Sequence, residues 1–316
     1  AAPILFATIG ETFTERAGVI NLSVNGTILL SAMTGFAVAV RTNSLLLGFL
    51  SGMVVGALVA LIIAFSSISL RQSQVAVGFV LTLLCRDLAY FLGNPFMGLL
   101  GPRLPPWPFP GLSQIPVLGR LFFHHDLVTY LSYILIFIAW IWIFKTHPGL
   151  ILQGIGERPM ASYARGASIN RLRYFYTILG GALVGLAGPT YSLSVKAGWK
   201  GTISGIDGLG WIALAITIFG GWNPLRAAFG AYLFAFLQWL GLFLQPSLPG
   251  IPSQVLQVAP FPMMILTLLL VNIGNTEWVD RLLAVLPESM RRFVARLLRS
   301  LRASQTASLG IPFKQE

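Results

Sequence analysis

The sequence predicts an all-α membrane protein: a polytopic helical bundle of about eight spans, with broken helices and one short helix in a cytoplasmic loop. Three observations carry this. Of 316 residues, 55% are hydrophobic and only 10% charged, whereas about a quarter are charged in soluble domains. Uncharged runs at 17–40, 42–70, 127–144, 174–195, 208–225 and 227–276 can each hold a span of about 20 residues, and the last can hold two. The basic residues then sort by side. Arg16, Arg71, Lys145, Arg158, Arg165, Arg171, Arg173, Arg226 and the seven after Ile273 fall inside, against Arg41, Arg103, Arg120, Lys196 and Lys200 outside, as the positive-inside rule requires.

Residues 1–9 are too short to span and read as the tail of a truncated span or a re-entrant piece. The chain opens at Ala1, already apolar, so the true amino terminus is expected upstream. Glu11, Glu15 and Arg16 make a polar passage, and the chain re-enters the membrane near Gly26. Spans follow at about 25–40 and 45–65. The next, 75–93, has Gln72, Ser73 and Gln74 at its entrance and Gly78 within it, which predicts a broken helix, a form tolerated where backbone is buried or lines a cavity. Arg86 and Asp87 fall near its middle. A central charge costs about 2.5–3.5 kcal/mol on insertion scales, so both should face protein or water. Adjacent positions do not face each other on a helix, so each is expected to find a partner elsewhere, as a pathway residue or in an ion pair between helices.

Residues 94–126 form a proline-rich external loop carrying His124 and His125, either a lid or docking surface or a plug stiffened by its prolines. Residues 127–144 lead inward and 174–194 outward. Gly180, Gly181, Gly185 and Gly188 give that outward span a smooth face for close helix packing. After an external segment with Asp207 at the outer edge, 208–219 ends at an internal turn, GGWNPLR, before 227–245 and 255–273. From 276 to 304, apolar residues recur at helical spacing with arginines elsewhere. A basic amphipathic helix of this kind lies on anionic lipid or packs on a partner.

Between the spans at 127–144 and 174–194 lies a polar island, 145–173, with Lys145, Arg158, Arg165, Arg171 and Arg173 against Glu157. Pro159 suits the first turn of a short helix, Ala161 and Ala164 favour it, and Gly166 stops it. Such a helix, small on one face, can be gripped by another protein; the alternative is an ordinary solvated loop.

No GxxxxGK[ST], HExxH or GxSxG occurs, so phosphate-loop ATPase, zinc-protease and serine-hydrolase chemistry find no motif. Asp87 and Asp207 are expected at different depths, which argues against a carboxylate dyad. The net charge of +11 follows topology rather than a nucleic-acid surface, and Cys85, the single cysteine, can form no internal disulfide. A neutral polar solute would be met by amides, hydroxyls and aromatic faces: Asn21, Asn25, Thr27, Gln74, Thr82, Tyr90, Trp211, Thr217 and Gln238. Each can equally serve as interhelical glue.

Three blocks resemble a known family: ERAGVINLSVNG at 15–26, GLILQGIGERPMASYARGASINRLRYFYTILGGALVGLAG at 149–188, and GWIALAITIFGGWNPL at 210–225. Together they look like membrane subunits of ABC importers for simple sugars, nucleosides and branched-chain amino acids. The chain departs from that pattern at Asn25, where the family has Glu before Gly26, and at Thr82, where asparagine is expected. The resemblance implies a permease domain over 1–273, with its coupling loop at 145–173, and a cytoplasmic basic tail over 274–316. It implies a bacterial cytoplasmic membrane location and a coupling helix in which Gly156, Glu157, Pro159, Ala161, Ala164 and Gly166 meet an ATPase subunit. Candidate pathway residues are Asn21, Asn25, Gln74, Thr82, Arg86, Asp87 and Trp211. The chain itself would bind no cofactor, ATP and Mg belonging to the ATPase partner. Further implied partners are a second permease, heterologous or identical, an external substrate-binding lipoprotein and membrane lipid. The closing SLGIPF resembles nucleoside permeases and favours a nucleoside. The alternatives are a ribose-like sugar or branched-chain amino acid in the same family, or an ion-coupled secondary transporter.

Overall fold

The computed structural model describes residues 1–111, 113, 123–247, 262 and 306–313. The described elements are helical: α1 Ala2–Arg16, α2 Val24–Thr42, α3 Leu45–Ala64, α4 Gln74–Gly93, α5 Leu127–Lys145, α6 His147–Glu157, α7 Pro159–Ala164, α8 Ile169–Pro189, α9 Leu209–Phe219 and α10 Pro224–Leu244. Among the described residues, five helical stretches are long and apolar enough to cross a membrane: Val24–Thr42, Leu45–Ser69, Gln74–Phe96, Leu127–Lys145 and Ile169–Val195. The expected span at 255–273, the tail at 276–304 and most of the outer part of the external loop lie outside the described residues.

The centre of the bundle is α8, packed along α1, α2 and α3. Its glycines explain why these helices meet at backbone distance. A Cβ on Gly56 of α3 would lie 2.1 Å from the Gly181 carbonyl oxygen, one on Gly180 would lie 2.4 Å from the Gly10 carbonyl oxygen of α1, and one on Gly188 would lie 2.2 Å from Ser31 Oγ of α2. Small residues at such contacts let dispersion and interhelical hydrogen bonds replace a hydrophobic drive that lipid does not supply. The expected smooth face is therefore a three-sided one, turned to a different helix at successive positions.

Two expectations change. The polar residues Glu11, Glu15 and Arg16 are not a solvated passage: α1 runs unbroken through them and all fifteen of its residues are buried. Most of their polar atoms are met inside the protein, Glu11 Oε2 being buried without a partner among the described residues. Glu15 Oε2 accepts from Trp222 Nε1, Arg16 Nε donates to the Trp222 carbonyl at 2.9 Å, and Glu11 Oε1 accepts from the Asn21 amide at 3.3 Å. These contacts bring the GGWNPLR turn to the same end of the bundle as the α1 terminus, the end that carries the 145–173 island.

Helix α4, expected to be broken, is continuous from Gln74 to Gly93. Ser73 caps it by accepting from the Ala76 amide at 3.4 Å, and Gly78 faces the Leu22 backbone, where a Cβ would come within 2.9 Å. The glycine thus serves close packing, not a break. The breaks fall elsewhere: α3 widens into a π-turn at Phe65–Ser69 and α8 into another at Thr190–Val195, just after Pro189. Proline cannot donate to the ladder and its ring crowds the preceding turn, which accounts for the second break.

Candidate functional site

The link between α1 and α2, residues 17–23, climbs through the interior, and the sequence-predicted polar residues largely hold it there. Gln74 Oε1 accepts from the Ile20 amide at 2.7 Å. Thr82 Oγ1 donates to the Leu22 carbonyl at 2.5 Å, and Asn21 Oδ1 accepts from Ser23 N at 3.1 Å and Ser23 Oγ at 2.6 Å. Gln74, Thr82 and Asn21 are buried, so they satisfy the backbone of an irregular segment.

The link rises from Gln74 to the level of Thr82, so α2 begins near the middle of the α4 span, and Asn25 sits in its first turn. This amide joins three chain segments. Its Nδ2 donates to Asp207 Oδ1 at 2.7 Å, and its Oδ1 accepts from the Gly208 and Gly210 amides at 2.9 and 3.2 Å. Gly208 and Gly210 open α9, so Asn25 satisfies donors that a helix start leaves bare. Helix α9 has only eleven residues. It runs from this mid-span point to Trp222 at the island end.

Asp207 is therefore not at the outer edge as expected. Its Oδ2 accepts from Tyr90 Oη at 3.1 Å, and Tyr90 stands three residues from Asp87 on α4, a rise of about 4.5 Å. The two aspartates are close in depth, yet they do not pair with each other. Arg86 and Asp87 also depart from expectation: Arg86 Nε lies 3.1 Å from Asp87 Oδ1, with side chains 38% and 67% exposed. Both are long enough to bend round from adjacent positions. Trp211, 39% exposed, lies one turn into α9. Arg86, Asp87, Tyr90 and Asp207 thus form an open polar patch, with Asn25 buried behind it. Tyr90 and Asp207 were the members least accessible to sequence reasoning, because 117 positions separate them.

The island resolves into two helices rather than one. Thr146 caps α6 by accepting from the Gly149 amide at 3.2 Å while donating to the Trp142 carbonyl at 2.6 Å. Pro159 opens α7 in its first turn, and Gly166 ends the turn that follows it at φ +89°, a left-handed value that glycine adopts without strain. None of α7 is buried. Glu157, Ala161, Ala164 and Gly166 are exposed and Pro159 is half-buried. Gly156 differs: it is buried, and a Cβ there would lie 2.1 Å from the Arg16 carbonyl oxygen. It seats α6 on the end of α1 and offers no outward surface.

Among the described residues, no group of three or more His, Cys, Asp or Glu side chains could hold a metal ion.

Residues 1–273 match the family described as branched-chain amino acid transport system, permease component. The chain is 35% identical over 261 residues to a putative glucose ABC transporter permease protein, TsgC13, of Haloferax volcanii, covering 79% of this chain and 78% of that one. It is 34% identical over 282 residues to the guanosine ABC transporter permease protein NupQ of Bacillus subtilis, covering 85% and 88%. It is 31% identical over 283 residues to the nucleoside ABC transporter permease protein NupC of Lactococcus lactis, covering 85% and 89%. No solved structure matches the chain.

Proposed function

Because the chain belongs to the family of branched-chain amino acid transport system permease components, we propose that it is the membrane subunit of an ABC importer that carries a nucleoside, using ATP hydrolysed by a separate subunit. The observation that carries this reading is the open patch of Arg86, Asp87, Tyr90 and Asp207 at mid-span. Charges at that depth are stable only against protein or water, so this face lines a polar route or meets a second permease chain across one. Tyr90 and Trp211 offer aromatic faces, and Asp207 and Asp87 offer acceptors for the amino and hydroxyl groups of a nucleoside.

The ATPase is taken to dock on α7, through Glu157, Pro159, Ala161, Ala164 and Gly166, with ATP and Mg held by that partner. Its closure would move α6 and α7 against α1. An external binding lipoprotein would deliver the solute at the opposite end, and the membrane would be the bacterial cytoplasmic one. The tail at 274–316 would lie on the cytoplasmic side. A sugar is the second reading, favoured by the similarity to a glucose permease. An ion-coupled mechanism is less well served, since the Asp87 carboxylate already neutralises Arg86.

The test is uptake of labelled guanosine by cells with and without this chain, competed by unlabelled adenosine, ribose, glucose and leucine. Competition by adenosine alone supports the nucleoside reading. Competition by ribose or glucose at equal concentration transfers the cargo to sugars, and uptake that persists when cellular ATP is exhausted removes the ATP-driven mechanism.

A further inference from the structure

Residues 306–313 return to the bundle at the island end and are held there by three elements. The Ser308 amide donates to the Gly156 carbonyl at 2.9 Å, and Ser308 Oγ donates to the same oxygen. The Gly310 amide donates to the Gly18 carbonyl at 3.1 Å, at the end of α1. From α8, Arg173 Nη1 donates to the Ile311 carbonyl at 2.9 Å, and its Nη2 donates to Ser308 Oγ at 3.3 Å. The Phe313 ring lies 5.7 Å from that of Tyr163 in α7.

Arg173 shows why this segment is more than a loose end. Its side chain is 1% exposed, and among the described residues it has no carboxylate partner. Its hydrogen bonds go to Ser308 and Ile311, and its Nε has no partner. A buried guanidinium stripped of acceptors is costly, so the segment is required to complete the interior. Gly18, at φ +89°, would place a Cβ 2.8 Å from Arg173 Nη2 and 3.4 Å from the Ser308 carbonyl oxygen. The ends of α1, α6 and α8 and the strap therefore meet with no room for another atom.

We propose that residues 306–313 are a positioning strap for the docking helices. It ties the carboxyl end of α6 to α1 and α8, and it places Phe313 beside Tyr163 so that strap and α7 together form the face a partner ATPase engages. The part concerning the ATPase rests on the docking assigned above to α7. Movement of α7 is then delivered to α1 and α8 through the strap rather than absorbed in the connection at 165–168.

The test uses the full chain in detergent and four variants: Gly310→Val, Ser308→Ala, Ala164→Glu, and a chain ending at Gln305. Gly310 adopts φ +77°, a left-handed value that a β-branched residue resists, so valine should expel the strap while leaving the rest of the sequence intact. Hydrogen exchange of the chain without ATPase is expected to accelerate at least tenfold in 150–164 and 17–20 for Gly310→Val and the shortened chain, and less for Ser308→Ala. Affinity for the ATPase subunit that co-purifies with the native chain is expected to fall at least tenfold in the first two. Unchanged exchange in Gly310→Val overturns the strap, and accelerated exchange with unchanged ATPase affinity overturns its part in docking. Should the shortened chain fail to insert, Gly310→Val and Ser308→Ala decide. An ATPase that binds Ala164→Glu as it binds the native chain would refute docking on α7, while the exchange measurement would still decide the strap.

Discussion

Asn25 Nδ2 donates to Asp207 Oδ1 across 2.7 Å, and the oxygen of the same amide accepts from the Gly208 and Gly210 amides at the start of α9. An amide can do both at once; a carboxylate at position 25 could cap α9 but would repel Asp207. The amide at position 25 is thus matched to the aspartate opposite it.

Asn25→Asp is expected to lower uptake about tenfold or more, since losing a hydrogen bond to a charged group costs roughly 1.5–3 kcal/mol and about 1.4 kcal/mol is a factor of ten. Adding Asp207→Asn should recover part of the loss by restoring an amide and carboxylate pair. Uptake rates of the two singles and the double give the coupling directly. Strict additivity would show that the two side chains act independently.

Gly56→Val places side-chain atoms where the Gly181 carbonyl oxygen lies 2.1 Å from the first added carbon. Overpacking commonly costs about 1–3 kcal/mol, and here the obstacle is backbone that cannot rotate away. The variant should lose thermal stability in detergent or fail to give monodisperse protein, whereas Gly98→Val, with no atom near its Cβ position, should suffer only the milder strain of its positive φ.

Trp222→Phe removes the indole N–H that Glu15 Oε2 accepts in the interior. A buried acceptor left without its donor costs about 1–3 kcal/mol, so the melting temperature should drop while the chain still inserts. Trp222→Phe combined with Glu15→Gln should be milder than the single change, because a neutral amide is cheaper to leave under-bonded.

Ala164→Glu adds bulk and charge to an exposed position of α7. The variant should remain folded and inserted yet fail to retain an ATPase subunit in a detergent pull-down from native membrane, and uptake should vanish with it. Normal uptake would show that α7 is not where the partner docks.

Much of the fold was legible because span length is a one-dimensional property: bilayer thickness sets the run of apolar residues, and the sequence displays such runs directly. The short helix at Pro159 and its end at Gly166 were legible too, since both residues act through their own backbone angles. Legibility failed where a residue's neighbour in space was distant in the chain. Gly78 looks like a helix breaker until Leu22 is seen against it, and Glu11, Glu15 and Arg16 look solvated until Asn21 and Trp222 supply their partners. Helix α6 starts at Thr146 and Pro148, but a cap and a proline suit a loop as well, so its sequence does not set it apart from the rest of the island. The resemblance puts Gly156 on the docking face, and only its contact with Arg16 shows it to be interior.

The sequence by itself determined that this is a multi-pass helical membrane protein of the permease family, with one basic loop between its spans, because composition, run length and local motifs need no knowledge of contacts. Tertiary structure alone decided which polar residues stay exposed and which close the interior. Burial of a hydrogen-bonding group is tolerable only beside its complement. The complements of Asn25, Tyr90 and Arg173 lie 182, 117 and 135 or more positions away, beyond the reach of any local pattern.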